Sequence, residues 1–514
     1  MINSSYFKRI NGLNCSEYLI RAVANYYERD YEMMFIKSWG FDLDYSKNIF
    51  EDDFISDHVA DSWNYLKMYH GIEIRTHEFE RYEDFEEFVR RKLKNDEPVM
   101  VFVDLYWVPW VVQDYQREHW SHMVLIVGED STGWLCYDFF STEENILPYD
   151  HMVKCFCDAY DFELHTYSDI NVEQGKMEIK QGLLDGLIKT NAFEKMRHLS
   201  ECILTDIKRN MIDHSVTLGD FQTCDLMEKL NRLSQRRSQF ALMLEYLFEH
   251  SIGNREINLA IIHLSFCAAC WKSVWGLLQK AYLMKDPSSV IEKASKKIKE
   301  ISYIEQRICE SFLNEQKIIL EGNKFYVNNS MQQVWKNMEI PIGCFANHRS
   351  IYINENNSAS SLDDIFIIED EMLRKRKISI GNITYNLCTA DLQFDNISCV
   401  GQQIPIKKKI VGFSLLSNAD FAHQTERIII CSHDREKKLP FNVTYSQWHT
   451  AEFGQRVVWK GSAGMMREGV VETHPLQICI YESFWGWKQS FYAHNIVLPY
   501  CPNIHIYGIA IYFY

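Results

Sequence analysis

The chain has 514 residues, more than one ordinary core, which predicts two to four domains. Lys and Arg number 54 against 70 Asp and Glu, a net charge of −16 that argues against bulk nucleic-acid binding. Hydrophobic residues make up 46%, with only 10 Pro and 22 Gly, which excludes a linker-rich disordered chain. The basic runs Arg90-Arg91-Lys92, Arg374-Lys375-Arg376-Lys377 and Lys407-Lys408-Lys409 read as solvated faces. The start, MINSSYFKRINGLNCSEY, lacks an apolar signal core. The uncharged run from Ile257 to Trp271, 15 residues, falls short of the roughly 18 that suggest a spanning helix. A cytoplasmic protein that does not engage a membrane is expected. The 15 Cys are irregularly spaced and read as reduced thiols, not a disulfide framework.

Three zones follow in chain order, with expected boundaries at 1–168, 169–322 and 323–514. In the first, CSEYLIRAVANYY places Tyr18, Leu19, Ala22, Val23 and Tyr26 on one side of an amphipathic helix. RYEDFEEFVRRKLKND is a second helix, stopped by Pro98. PVMVFVDLYWV, HMVLIVGED and GWLCYDFF read as strands, giving an α+β layout. In the second zone Leu226, Leu230, Leu233, Phe240, Leu244 and Leu247 keep a 3-4 spacing, broken only at Arg237, and a helical bundle ending near Gly322 is predicted. In the third the period becomes two, in KKIVGFSLLS, ERIIICSHD, QRVVWKGSA, LQICIYESFW and NIHIYGIAIYFY, which predicts a C-terminal β-sandwich.

The chemistry candidates lie in the first zone. Cys15 opens the first strong helix, where the dipole favours a thiolate, and Gly12 and Asn14 before it suit a sharp turn. His122 opens one strand and Asp138 closes the next. If the two strands pair around GEDSTG, the carboxylate stands near the ring, completing a nucleophile, base and orienter. Each residue alone also has a structural reading; order and spacing together favour the triad. His119, three residues before His122, is a rival base. Elsewhere, CAAC (Cys267 to Cys270) reads as helix packing, not zinc or redox chemistry, and no metal site is predicted. Trp448, Trp459, Trp485 and Trp487 read as sandwich core before they read as a ligand groove. No P-loop, dinucleotide fingerprint or H-E-x-x-H motif occurs, so no ATP site is evident.

The motifs NCSEYLIRAVANYY, VMVFVDLYWVPW and HMVLIVGED…CYD make about the first 140 residues resemble the acyltransferase family of butirosin biosynthesis. That family is a papain-like group related to bacteriocin-processing cysteine peptidases. The pattern also resembles papain-like amide synthetases of the closthioamide type, which join carrier-bound thioesters to a diamine. The resemblance implies a papain-like catalytic domain with Cys15, His122 and Asp138 as its triad. It implies an acyl or peptidyl carrier protein as partner, phosphopantetheine supplied on that partner, no cofactor held by the chain itself, and a small amine or diamine as acceptor. It also implies a place in thiotemplated antibiotic biosynthesis in a bacterium. One departure is plain: papain-like enzymes place a Gln a few residues before the Cys, and FKRINGLNC has none. Asn11 or Asn14, with the backbone N–H of Cys15, would have to serve the oxyanion. Asp104 is a candidate for the acceptor's ammonium, with Trp107 and Trp110 shaping the pocket; Asp104 also reads as a turn residue. The expected function is ATP-independent transfer of an acyl group from a carrier thioester through Cys15 to an amine. A cysteine peptidase or thioester hydrolase shares every catalytic residue, and a non-catalytic assembly protein is the third reading.

Overall fold

The computed structural model describes residues 2–56, 62–167, 172–207, 221–250, 255–314, 336–352, 365–387 and 394–513, with short gaps inside those spans. Asn11, Gly322 and Trp448 lie outside the described residues. The chain divides into two compact units. One holds Met1–Met196, Asn231–Ala268 and Ser302–Ile318; the other holds Arg197–Leu230, Ala269–Ile301 and Ile319–Tyr514. The helical segment is thus apportioned between them.

The first unit is α+β. Helix α1 (Cys15–Tyr26) buries Tyr18, Leu19, Ala22 and Val23 of the expected stripe, and Ile20 and Ala24 besides, while Tyr26 is only half-buried and donates its hydroxyl to Asp96 O at 3.1 Å. A six-stranded antiparallel sheet runs in the order Ile72–His77, Phe156–Leu164, Val99–Asp104, Ser121–Glu129, Gly133–Asp138, Asn145–Pro148. One face packs Val101, Val103, Val124, Ile126 and Cys136 against Phe85 and Val89 of the helix Tyr82–Leu93. The predicted hairpin forms: Ser121–Glu129 pairs with Gly133–Asp138, and Asp130 Oδ1 accepts the N–H groups of Thr132 and Gly133 in the turn.

The helical segment comprises Asp225–His250, Arg255–Leu283 and Ser288–Asn314. Its leucine stripe is buried as expected, and the break at Arg237 has a physical cause. Arg237 and Glu305 form an ion pair, both side chains fully buried, with Nε–Oε1 and Nη2–Oε2 each 2.9 Å. Gly40 O accepts from Arg237 Nη1 at 3.1 Å, and Trp39 Nε1 donates to Glu305 Oε2 at 2.8 Å. Every strong polar atom there is answered, as burial requires. The span Ile257–Leu283 is long and apolar enough to cross a membrane by length and composition, with mean hydropathy 1.4. That exceeds the expectation from the uncharged run alone, because the helix continues past Lys272. Its side chains Leu264, Cys267, Cys270, Trp271, Val274 and Leu278 are buried within the protein, which accounts for their apolarity and for the CAAC spacing.

The second unit carries a large sheet, with Arg456–Arg467, Val470–Val497, Gln403–Ala419 and Tyr500–Phe513 as adjacent strands. A hairpin of Lys377–Ile380 and Ile383–Asn386 packs Ile378, Ile383 and Tyr385 into the same core as Val411, Leu416, Ile480 and Tyr507, giving the sandwich-like layering. Gly508 permits this approach: a Cβ there would stand 2.7 Å from Tyr385 Cδ1. Trp459 is core, and Trp485 and Trp487 stack against Phe413 with centroids 4.5 and 6.1 Å away.

The Arg237–Glu305 pair yields a test of the first unit. Glu305→Ala leaves a buried guanidinium unpaired, and we expect a loss of about 3–5 kcal/mol in unfolding free energy. The double variant Arg237→Met, Glu305→Leu should recover more than half of it. Urea midpoints followed by tryptophan fluorescence decide; equal losses in single and double variants would mean that packing, not the charge, is responsible.

Candidate active site

Helix α1 begins at Cys15 because Asn14 caps it. Asn14 Oδ1 accepts from Glu17 N at 2.9 Å and from Ser16 Oγ at 2.8 Å, while Glu17 Oε2 accepts from Asn14 N at 2.9 Å. This capping box makes Cys15 the first helical residue, with its thiol at the positive end of the helix. His122 is the second residue of its strand and Asp138 the last of the next. The register pairs Val124 with Asp138, so His122 and Asp138 are diagonal neighbours on one face of the sheet.

The His122 ring lies between the other two. Its Nε2 is 3.4 Å from Asp138 Oδ2, longer than a well-formed hydrogen bond. Contacts of this class are often long before substrate binds. The other side of the ring meets the Cys15 thiol. Burial pulls the ring towards neutrality, but the Asp138 carboxylate and the Cys15 thiol beside it lift His122 to about 9. Burial pushes the Cys15 thiol up, but it is outweighed. The hydrogen bond and charge of His122, with the backbone N–H groups of Met123 and Ser16, bring Cys15 below its ordinary value. The arrangement favours a thiolate–imidazolium pair at neutral pH.

Asp138 is fully buried and its carboxylate is saturated with donors. Oδ1 accepts from the N–H groups of Phe140 and Ser141, each at 2.8 Å, and Oδ2 accepts from Trp110 Nε1 at 2.7 Å. The Phe140 ring covers His122, with centroids 4.9 Å apart. Nothing in residue spacing signals the Trp110 bond, although the Asp138-Phe139-Phe140-Ser141 order does fit an Asp that accepts from the backbone just after it.

The remaining candidates separate. The structure brings Cys15, His122 and Asp138 together and leaves His119 apart: His119 is exposed, stacks on Tyr106 at 4.4 Å, and bonds Asp104 Oδ2 through Nδ1 at 2.7 Å. Asp104 Oδ1 accepts from Tyr106 N at 3.1 Å. Asp104 therefore takes its turn reading, with both oxygens engaged, and register places it on the sheet face opposite His122. Trp110 is a hydrogen-bond donor to the Asp138 carboxylate rather than a pocket wall alone. Trp107 packs on the sheet core under Lys154, whose Nζ is 4.4 Å from the ring centroid. The Asn14 carbonyl serves the helix start, and Asn11 lies outside the described residues. Among the described residues, Glu73, Glu163 and His165 form one group with metal-ligand spacing. Its members are paired internally and with Lys67 and Arg75: Glu73 with Lys67 at 2.5 Å and His165 at 2.7 Å, Glu163 with Arg75 at 2.6 Å.

Two outcomes follow from this geometry. Alkylation of Cys15 by iodoacetamide should persist at pH values below the ordinary thiol range, since its pKa is lowered, and its rate should change again as pH rises through about 9, where His122 loses its proton. A pH series by intact-mass spectrometry checks both limbs; a Cys15 that titrates as a free thiol would remove the pair. Trp110→Phe keeps a ring but loses the N–H to Asp138, and should slow Cys15 alkylation at neutral pH about tenfold or more, the usual weight of a hydrogen bond to a charged group. His119→Ala, a surface change, should stay within about twofold of wild type.

No curated protein matches this chain. Residues 18–138, a stretch that begins just past Cys15, contains His122 and ends on Asp138, match the family described as butirosin biosynthesis protein H, N-terminal.

Proposed function

We propose that the chain is a cysteine-dependent, amide-forming acyltransferase that takes an acyl group from a carrier-protein thioester and passes it to an amine. The observation that carries this reading is a half-buried Cys15 at a helix N-terminus beside the buried His122 and Asp138, with the thiol pKa lowered and the imidazole raised. The Cys15 thiolate attacks the thioester carbonyl. The tetrahedral intermediate collapses, the carrier's pantetheine sulfur leaves with the proton from His122, and an acyl-Cys15 thioester remains. The amine then attacks; neutral His122 accepts its proton, the amide forms, and Cys15 leaves as thiolate. Asp138 holds the ring's tautomer throughout.

The bond energy comes from the thioester, so no nucleotide enters the scheme. The chain needs no cofactor of its own, and phosphopantetheine arrives on the carrier protein. The acceptor is a small amine or diamine, the setting is thiotemplated antibiotic biosynthesis, and the location is the bacterial cytoplasm. With Asp104 engaged by His119, the residues that bind the acceptor are unassigned.

The test offers an acyl-loaded carrier protein with and without a diamine. Wild type should show an acyl adduct by intact mass, and Cys15→Ala none. Amide should appear only with diamine present. Free acid released at equal rates in both, with no amide, would leave a hydrolase; an adduct that survives in Cys15→Ala would move the nucleophile elsewhere.

A further inference from the structure

We infer that Arg236 and Gln239, on the helix Asp225–His250, are positioning residues for Cys15, fixing the loop that delivers the thiol to His122. This rests on Cys15 as the nucleophile and extends that reading to residues far along the chain.

The loop Gly12–Asn14 lies directly on that helix. Gly12 adopts φ +89°, and a Cβ there would stand 2.3 Å from Ser238 Cβ, so the backbone itself is the contact surface. Gln239 Nε2 donates to Gly12 O at 2.8 Å and to Glu17 Oε2 at 2.7 Å. Arg236 Nη1 donates to Glu17 Oε1 at 3.0 Å and to Gln239 Oε1 at 2.9 Å. Glu17 Oε2 in turn accepts from Asn14 N. Glu17 and Gln239 are buried, 4% and 1% exposed, so no water competes for these bonds.

Glu17 is therefore more than the capping-box partner of Asn14. It is a buried hub that receives one donor from the loop and two from the distant helix. Burial pushes its carboxyl up, opposed chiefly by the Arg236 charge and the Asn14 N–H. Without Arg236, Glu17 tends to neutralise, and its hold on Asn14 weakens. Asn14 directly precedes Cys15. A shift of loop and helix start moves Sγ relative to His122 and to the N–H groups of Ser16 and Met123, the contacts that lower its pKa. An interaction made for stability alone would leave those contacts as they are.

The experiment measures Cys15 alkylation by iodoacetamide across pH in the full chain, with peptide mapping to separate Cys15 from the other thiols. Gln239→Ala and Arg236→Met should react about tenfold more slowly at neutral pH, with the acid limb moved up by about one unit. Arg236→Lys, which keeps the charge, should retain most of the wild-type rate. Ser38→Ala is the control: Ser38 Oγ donates to Arg236 O at 3.2 Å, so it touches the same helix without touching the loop, and its limb should not move. Should Gln239→Ala not fold, the contrast between Arg236→Met and Arg236→Lys decides. An unmoved limb in the folded variants, or an equal shift in Ser38→Ala, overturns the inference. A wild-type Cys15 with an ordinary thiol profile overturns the nucleophile reading beneath it.

Discussion

Burial opposes charge at every member of this site, and the rest of the arrangement answers that opposition. Asp138 has no exposure at all, yet three donors besides His122 surround its carboxylate. Those three hydrogen bonds offset the water that burial removes from the carboxylate. Its charge then helps to lift His122, and the charge on His122 lowers Cys15. The order matters. Removing a donor from Asp138 acts two residues away, on the thiol, because each charge is the solvation of the next.

The same helix meets this site and the core behind it with neighbouring residues. Arg236 and Gln239, at i and i+3, share a face and turn to the loop before Cys15. Arg237, about 100° further round, turns to Glu305 and Gly40 O. Two adjacent arginines thus serve two buried carboxylates, Glu17 and Glu305, that belong to different parts of the first unit. A catalytic helix with a free N-terminal loop would fray at its first turn. Here the capping box fixes the helix start internally, and the distant helix fixes the capping box.

What the sequence made legible was local. Tyr18, Leu19, Ala22 and Val23 of α1, the hairpin around GEDSTG and the apolar leucine spacing all depend on near neighbours, and each stands where the pattern put it. Arg237 was legible as an anomaly, a charge inside an apolar stripe. Its partner was not, since Glu305 lies 68 residues on. Gln239 and Glu17 are separated by 222 residues, and no periodicity joins them. For Asp104 the sequence left both a turn and an acceptor site open, and for Trp110 a pocket wall. The bonds each makes inside the protein, to Tyr106 N and His119 and to Asp138, have no signature in residue type or spacing. The assignment of His122 over His119 rested on nearness to the apolar run. The physical reason is burial: three residues earlier, the ring is in water beside Tyr106.

The missing glutamine before the cysteine bears on which reaction the proposed mechanism suits. Asn14 Oδ1 accepts at the helix start, which leaves its Nδ2 amide as the side-chain donor there, and the backbone N–H groups of Ser16 and Met123 face the sulfur. Backbone donors are rigid, and they gain strength as charge grows opposite them in a dry site. An amide's leaving nitrogen demands a long-lived, strongly stabilised oxyanion and a proton at the right moment. A thioester's sulfur leaves readily, so a smaller donor set suffices for acylation. Deacylation then sets the harder requirement, because an acyl-Cys15 thioester faces water as well as amine. Selectivity for the amine depends on excluding water from His122, the group that must accept the attacking proton. Phe140 over the ring and Trp110 beneath Asp138 are the apolar surfaces in place for that exclusion, and both also touch the triad directly. On the proposed reading, the same side chains that keep the charges paired keep the acyl-enzyme dry.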